Sequence, residues 1–429
     1  MPSEHLKLSG IRVAAMVANN CVADARVIKQ AESLAQEGAE VTVFCLHQSG
    51  LHKEEIINDV RYYRLPFRKR KFLLFLIKFA PLFLVRVLRG KIKISLSSPH
   101  LKKDVIHYIS YDFFVYIFAR SIIQYNPKII HAHDFSMVPV AVHCAKKNKA
   151  KVIFDAHEIE FDREGRNSKH VADYIDNEIH KYFKLIDGFV ATNQSAMNFF
   201  IDRYKIRPKE VAVIYNTPII ASRNINQPVD KIKDIRQRLD LPEKKTLLVY
   251  IGNIGRNRGV EEIVEALSNV DNVDLCIIGP QNEKNLQRFN LHVEKLNMND
   301  RIHILPPVPH WQVTETIKTA DASIMFTKPT CLNHIYSSPN KLFEAALAGL
   351  PIIAPDLPEM KRLIEDMKVG VTTEAENIEK LTASIKTVLA DTQLYRPNTE
   401  QLDTIRAKYS WRAQKEKLVD LYQRILNTA

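Results

Sequence analysis

Short apolar runs rich in β-branched residues recur along the chain and alternate with stretches whose apolar positions return every three to four residues. In the first half the strand-like runs are "IRVAAMVA", "EVTVFCL", "KIIHAHD", "KVIFDAH", "GFVATN" and "VAVIYN". In the second half they are "TLLVYIGN", "VDLCIIGP", "IHILPP", "ASIMFT", "LPIIAP" and "GVTTE". This alternation predicts an α/β fold of two doubly wound, Rossmann-like domains, each a parallel sheet flanked by helices. The polar stretch "ASRNINQPVDKIKDIRQRLDLPEKK" lacks strand alternation. It marks a linker at 216–244 between an N-terminal domain at 1–215 and a C-terminal domain at 245–405, with closing helices at 406–429. The last of these, expected after a break near Arg406, carries apolar residues at Trp411, Leu418, Leu421, Tyr422 and Ile425. Such a stripe calls for a preformed surface, and the helix is expected to pack back toward the N-terminal domain.

One predicted helix carries an unusual charge. In "YSSPNKLFEAALAGLPIIAPDLPEM", residues 336–360, Ser338 reads as the N-cap, Pro339 as the first helical residue and Gly349 as the stop. Lys341 then stands in the first turn, where the helix dipole and unpaired N–H groups already favour negative charge. A phosphate would justify it, because helix starts bind anions and lysine adds a point charge. Glu344, three residues on, shares its face and suits sugar hydroxyls; a plain surface Lys–Glu pair is the alternative.

Composition narrows the class. At 429 residues and 46% hydrophobic, the chain is globular and long enough for two cores. Its five cysteines, Cys21, Cys45, Cys144, Cys276 and Cys331, show no CxxC spacing, so neither a disulfide framework nor a zinc site is expected, and a reducing cytosol fits. The N-terminus lacks the apolar core of a signal peptide, and no long uncharged apolar run reads as a membrane span. The net charge of +12 is local: thirteen Lys and Arg and no Asp or Glu fall between Val60 and Lys103, leaving the rest close to neutral. There, "FRKRKFLLFLIKFAPLFLVRVLRGKIK" interleaves cations with aliphatic and phenylalanine side chains. We read 67–103 as a basic amphipathic insertion that lies on an anionic membrane surface through residues 67–93. A basic flap over an anionic substrate is an alternative; nucleic acid fits less well, because aliphatic residues dominate between the cations.

In doubly wound sheets, ligands bind beyond the C-terminal ends of the strands. The loop after the first strand, "ANNCVADARV", is no GxGxxG fingerprint, which argues against a dehydrogenase. Asp24 reads as an N-cap and Arg26 as a solvated first turn. Two strand ends are rich in ionisable groups: His131, His133 and Asp134 in "HAHD", and Asp155, His157 and Glu158 in "DAHE". Alternation puts His131 and His133 on one side of their strand. Such clusters orient hydroxyls or stabilise developing charge; histidines satisfied by backbone groups are the plain alternative. The spacing resembles no standard closed metal site, so no metal is expected. In "YIGNIGRNRGVEEI", Arg256 and Arg258 are flanked by glycines between a strand and a helix opening near Val260, a second anion-binding feature.

Together, "HAHD", "DAHE", "IGNIGRNRGVEEI", "LCIIGP", "SSPNKLFEAALAGLPIIA" and the closing "YSW…LVDLY" resemble glycosyltransferase family 4, the retaining transferases of GT-B fold, over nearly the whole chain outside the basic insertion. The resemblance implies a nucleoside-diphosphate sugar as donor, UDP- or GDP-linked, held mainly by the C-terminal domain. It implies an acceptor held mainly by the N-terminal domain, reaction in the cleft between them, and no cofactor. By position, Glu344 matches the second glutamate of the family's E-x7-E motif, on the donor ribose. Lys341 with Ser337, Ser338 and Asn340 faces the diphosphate and sugar, and Arg258 the diphosphate. Gly252, Asn253 and Arg256 stand in the donor loop, while Gly279 and Pro309 border the base. His157 matches the histidine near the anomeric centre; His133, Asp134, Glu158, Asn19 and Asp24 fall on the acceptor side. Two positions depart: Tyr336 replaces the first glutamate, and Asn253 stands where an arginine is common.

The implied protein is a cytoplasmic, peripheral membrane glycosyltransferase acting on a lipid-linked or growing surface-glycan acceptor, with polysaccharide assembly proteins as possible partners and no role in binding nucleic acid. A nucleotide-sugar epimerase of the same fold, or a non-catalytic scaffold in a polysaccharide assembly complex, are the other readings. Neutralising Arg68, Lys69, Arg70 and Lys71 together is expected to release the protein from anionic vesicles in co-sedimentation, since each cation contributes on the order of 1 kcal/mol near such a surface. Unchanged sedimentation would exclude the membrane role.

Overall fold

The computed structural model describes residues 6–66, 101–165, 168–219 and 232–428. The basic segment at 67–100 lies outside them. The chain divides into two compact units, one of residues 1–214 with 415–429 and one of residues 215–414.

The first unit holds an eight-stranded sheet. Its strands are β1 (Arg12–Met16), β2 (Glu40–His47), β3 (Glu54–Ile57), β4 (Val60–Pro66), β5 (Ile129–His133), β6 (Lys151–Ala156), β7 (Gly188–Ala191) and β8 (Glu210–Val213). Their spatial order is β3-β4-β2-β1-β5-β6-β7-β8. All neighbours run parallel except β3 and β4, an antiparallel hairpin at the edge. The order reverses at β1 and β5, which places the ligand-binding position of such a sheet beyond their C-terminal ends. The hairpin was not expected from the sequence. Its turn residues Asn58 and Asp59 both have positive φ, as a two-residue hairpin turn requires, but Ile56 and Ile57 are exposed, so β3 lacks an apolar face to advertise it.

The second unit holds six parallel strands: β9 (Thr246–Ile251), β10 (Val273–Ile278), β11 (Ile302–Leu305), β12 (Ala322–Ile324), β13 (Ile352–Pro355) and β14 (Gly370–Thr373). The order is β11-β10-β9-β12-β13-β14, so the switch point lies between β9 and β12. Leu248, Tyr250, Leu275, Ile277, Ile324 and Ile353 on the strands pack with Ile263, Val264 and Leu267 of the helix Val260–Ser268 in one core. In the stretch read as a linker, a short helix, Ile235–Leu239, lies on this unit: Arg236 donates to Thr319 O and to Asp321.

Two boundaries differ from expectation. The lysine-bearing helix runs Asn340–Leu347 with Pro339, not Ser338, at the N-cap, because a proline in extended geometry (ψ 142°) cannot yet be inside the helix. Lys341 remains in the first turn. The break before the last helix falls at Ser410, whose ψ of 158° separates helix Thr399–Tyr409 from helix Trp411–Asn427. All five cysteines are free.

Gly259 ends the arginine-bearing turn with φ +70°, and a Cβ there would stand 1.9 Å from Phe326 O. Gly349 has φ +75° but its nearest neighbour would be 3.9 Å away. Gly349→Ala is therefore expected to cost about 1 to 2 kcal/mol from the left-handed backbone alone, and Gly259→Ala about 2 to 5 kcal/mol once the clash is added. Chemical denaturation checks the ranking.

Candidate functional site

In the first unit, the helix Ala25–Gln36 is capped by Asp24, which accepts from Val27 N. Its buried residues mix apolar Val27, Ala31 and Leu34 with polar Arg26, Lys29, Gln30 and Ser33, and Arg26 and Gln30 stand one turn apart. Arg26 is not the solvated residue its position suggested. Its Nε and Nη2 donate to the two oxygens of Asp155, at 3.0 and 2.7 Å, and its Nη1 to Ile214 O at 2.8 Å. Gln30 adds a bond to Asp155 at 2.7 Å. Asp155, on β6, is fully buried. Burial alone would raise its pKa, but Arg26, then His157, outweigh that and hold it well below the usual carboxylate range.

Around this carboxylate stand three histidines. His131 and His133 on β5 stack at 4.4 Å between ring centres, as strand alternation predicts. His133 Nδ1 and His157 Nε2 are 3.1 Å apart, and each lies within 3.6 Å of Asp155 Oδ2. Burial, with His131 beside it, pulls the pKa of His133 down to about 3, so its ring is neutral. For His157, burial acts in the same direction, but Asp134 and Asp155 outweigh it and leave the pKa raised. When His157 is protonated it donates and neutral His133 accepts. Asp134, 3.5 Å from His157 Nδ1, is about a third exposed, and burial raises its pKa against the pull of His157. Its backbone, at φ 63° and ψ 157°, lies in a region that non-glycine residues rarely adopt. The bond from Asp134 N to Asp155 O, at 2.9 Å, holds it there.

The other acceptor-side candidates lie beside this cluster in the chain. Glu158 is exposed and paired with Arg163. Asn19 donates to Asp24 at 2.8 Å and accepts from Cys21 N at 2.7 Å. His131, His133 and Asp155 bring ligand-type atoms within 4.8 Å of one another. They do not fit a metal, because both oxygens of Asp155 are occupied by Arg26 and Gln30 and a divalent ion would face the guanidinium.

In the second unit, β9 ends in Tyr250 and Ile251, followed by Gly252 at φ +130°. Tyr250 is buried and donates to Asn253 O at 3.1 Å. The ammonium of Lys341 lies over the Tyr250 ring, 4.0 Å from its centre, and a Cβ on Gly252 would come within 3.5 Å of it. That is ordinary contact distance, so it is the φ of +130° that calls for glycine here. Gly255 opens a single turn, Arg256–Arg258, in which Arg256 is exposed and Arg258 partly buried. Burial, then Arg258, pulls the pKa of Lys341 down to about 7 against the opposing pull of Glu344. The site is therefore short of negative charge.

The neighbouring candidates sit as follows. Gly279 closes on Gly252, whose oxygen a Cβ would meet at 2.6 Å, and Gln281 bridges the two with bonds to Gly252 O and Gly279 O. Asn340 is the exposed first residue of the lysine-bearing helix, Ser337 donates to His334 O at 2.9 Å, and Ser338 lies in the loop between. Tyr336 caps the short helix Leu332–Ile335. Pro309 precedes the turn His310–Gln312. The sequence reading missed Arg26, Gln30 and Tyr250. Polar residues one turn apart beside Val27, Ala31 and Leu34 were the available signal for the first two; Tyr250 is masked by its apolar strand.

Sheet orders, switch points and the position of these residues define the GT-B class of two-sheet proteins, a fold shared with sucrose-phosphate synthase from Thermosynechococcus elongatus at TM-score 0.74 and 15% identity, covering 98% of this chain and 100% of that one. Anabaena HepE, solved in complex with UDP and glucose, matches at TM-score 0.67 and 13% identity over 96% of this chain and 100% of that one. The family Glycosyl transferases group 1 matches residues 231–402, and Glycosyl transferase 4-like domain matches residues 23–217. The chain belongs to the group 1 glycosyltransferases, the GT4 family. Among curated relatives, the putative colanic acid biosynthesis glycosyl transferase WcaI of Escherichia coli is 24% identical over 48% of this chain and 50% of its own. A D-inositol 3-phosphate glycosyltransferase of Streptosporangium roseum is 23% identical over 45% of each chain. The chain thus spans about half the length of the curated relatives it matches.

Arg26→Met leaves Asp155 buried without its main partner and is expected to cost about 3 to 5 kcal/mol at pH 7. Because the pKa of Asp155 is depressed in the folded state, the stabilisation is present above about pH 4 and is lost as pH falls. The gap between variant and parent should narrow in acid; denaturation at pH 7 and pH 3.5 reads it.

Proposed function

We propose that the chain is a retaining glycosyltransferase that moves a sugar from a nucleoside-diphosphate donor to a lipid-linked or growing surface-glycan acceptor. The observation that carries the reading is Lys341: an ammonium set over Tyr250 at the start of a helix, with Arg258 close enough to depress its pKa. Two cations and a helix start with free N–H groups suit a diphosphate. Glu344, on the face of Lys341, is assigned to the ribose, and Gly252, Asn253, Arg256, Ser337, Ser338 and Asn340 to the phosphate and sugar. Gly279 and Pro309 are assigned to the base. UDP and GDP are the nucleotides we favour, and HepE, of the same fold, was solved with UDP and with UDP-glucose.

In this reading the bond between the anomeric carbon and the leaving phosphate oxygen breaks as the acceptor hydroxyl attacks from the same face. The leaving phosphate takes the hydroxyl proton. Lys341 and Arg258 stabilise the charge on the diphosphate, and no enzyme nucleophile is needed. His157 lies at the anomeric centre, with His133, Asp134, Glu158, Asn19 and Asp24 toward the acceptor. Relatives named for colanic acid and teichuronic acid biosynthesis support a surface polysaccharide as the product. We place the protein at the cytoplasmic face of the membrane, held by residues 67–93. Among the described residues no helix is long and apolar enough to cross a membrane.

Transfer of labelled sugar to a lipid-linked or glycan acceptor, with the donor's anomeric configuration kept in the product, tests the activity. Turnover of donor without acceptor would point to an epimerase, and nucleotide binding without turnover to a scaffold. The pH dependence of binding tests the site. A bound diphosphate raises the pKa of Lys341 above its free value of about 7, so affinity is full below pH 7 and falls above it. The fall is expected to approach about tenfold per pH unit at most. Lys341→Met should weaken binding and flatten the profile, and a flat profile in the parent would remove Lys341 from the phosphate.

A further inference from the structure

The C-terminal helix Trp411–Asn427 reaches the centre of the histidine cluster. From residue 415 onward it belongs to the first unit, where Leu418, Leu421, Tyr422 and Ile425 are buried. Ile425 lies so close to β7 that a Cβ on Gly188 would stand 2.5 Å from its methyl. Lys415 pairs with Glu37 at 2.8 Å and Arg424 with Glu210 at 2.7 Å. An apolar face docked this tightly needs no buried hydroxyl. Tyr422 nevertheless carries one, and places it 2.7 Å from His131 Nδ1.

Burial, then the Asp155 carboxylate, keeps the phenol protonated by raising its pKa well above the ordinary value. With the O–H donating to Nδ1, the His131 proton sits on Nε2, which faces Asp155 Oδ2 at 3.7 Å and has no hydrogen-bond partner. A second proton on His131 would turn the phenol round and leave its hydrogen without an acceptor. It would also put a cation against the stacked His133 ring and near Arg26 and His157. The groups around Asp155 are then Arg26, Gln30, His131, His133 and His157, with Asp134 on the far side of His157.

We propose that Tyr422 is a positioning residue: its bond to His131 holds the stacked histidine pair neutral and leaves the charge of Asp155 to Arg26 and His157. The inference deepens the reading of His157 as a residue of the reacting centre and rests on it for its effect on turnover. It concerns the coupling of the closing helix to the cluster and has a readout independent of activity.

The test is Tyr422→Phe in the full chain, following the ring of His157 by NMR, assigned through its loss in His157→Gln. Without the phenol, His131 takes up a proton more readily and draws on Asp155. The His157 midpoint is expected to fall by about half a pH unit or more, with kcat down about tenfold and donor KM within about twofold. A shifted midpoint with unchanged turnover upholds the coupling and overturns the placement of His157 at the reacting centre. An unchanged midpoint in the folded variant overturns the proposal. Should Tyr422→Phe fail to fold, His131→Gln keeps the docked face whole and puts a permanently neutral side chain beside Asp155; the His157 midpoint is expected to stay close to the parent's, and a midpoint lowered by about half a pH unit or more would overturn the proposal.

Discussion

The ammonium of Lys341 is held against a buried aromatic ring, in a place that burial and a neighbouring guanidinium make poor for a cation. The rest of the second unit is arranged around that conflict. Gly252 turns the chain through a φ of +130° beside the ammonium, Gly259 lets the arginine turn press against Phe326, and Gly279 lets the next loop close on Gly252. Glycines after two neighbouring strands and at the helix start that follows thus let the backbone turn and close up where cations gather. The ring face offsets part of the cost, by an amount on the order of 1 kcal/mol. A phosphate would offset far more, since charge-assisted bonds in a partly desolvated site are among the strong ones.

The first unit solves the opposite problem. Asp155 is a buried anion whose partners are already in place, and a buried pair of this kind contributes geometry more surely than net stability. The clamp of Arg26 and Gln30 fixes the carboxylate, Asp134 and the carboxylate together raise the pKa of His157, and the neutral state of His133 gives protonated His157 an acceptor. One unit therefore holds a charge awaiting its partner and the other a charge used to orient a neighbour. The strained backbone of Asp134 belongs to the second device, held by a bond to Asp155 O.

Much of the fold was legible because strands of parallel sheets are buried on both faces and read as continuous apolar runs. All the runs quoted from the sequence became strands. β3 was not legible, since its isoleucines face solvent and its Asn58–Asp59 turn is not the Asn-Gly pair that marks a hairpin. The Lys341 helix was legible from its stop and its misplaced charge, although a proline in extended geometry moved its start by a residue. Arg26 was misread because a cation just inside an N-cap usually faces solvent. Only the fold brings β6, 129 residues away, beside it. Tyr250 belongs to the same class of miss: a strand residue looks like core until a lysine from elsewhere in the chain lies on it.

The central claim is that the Lys341 ammonium and Glu344 frame a nucleotide site. Calorimetric titration with UDP, GDP, CMP, ADP and dTDP, in the parent and in Glu344→Ala and Lys341→Ala, tests it most directly. Selective binding of one nucleotide by the parent, weakened in both variants, is the predicted result. Binding of none of the five by the folded parent, or binding indifferent to both substitutions, would contradict it.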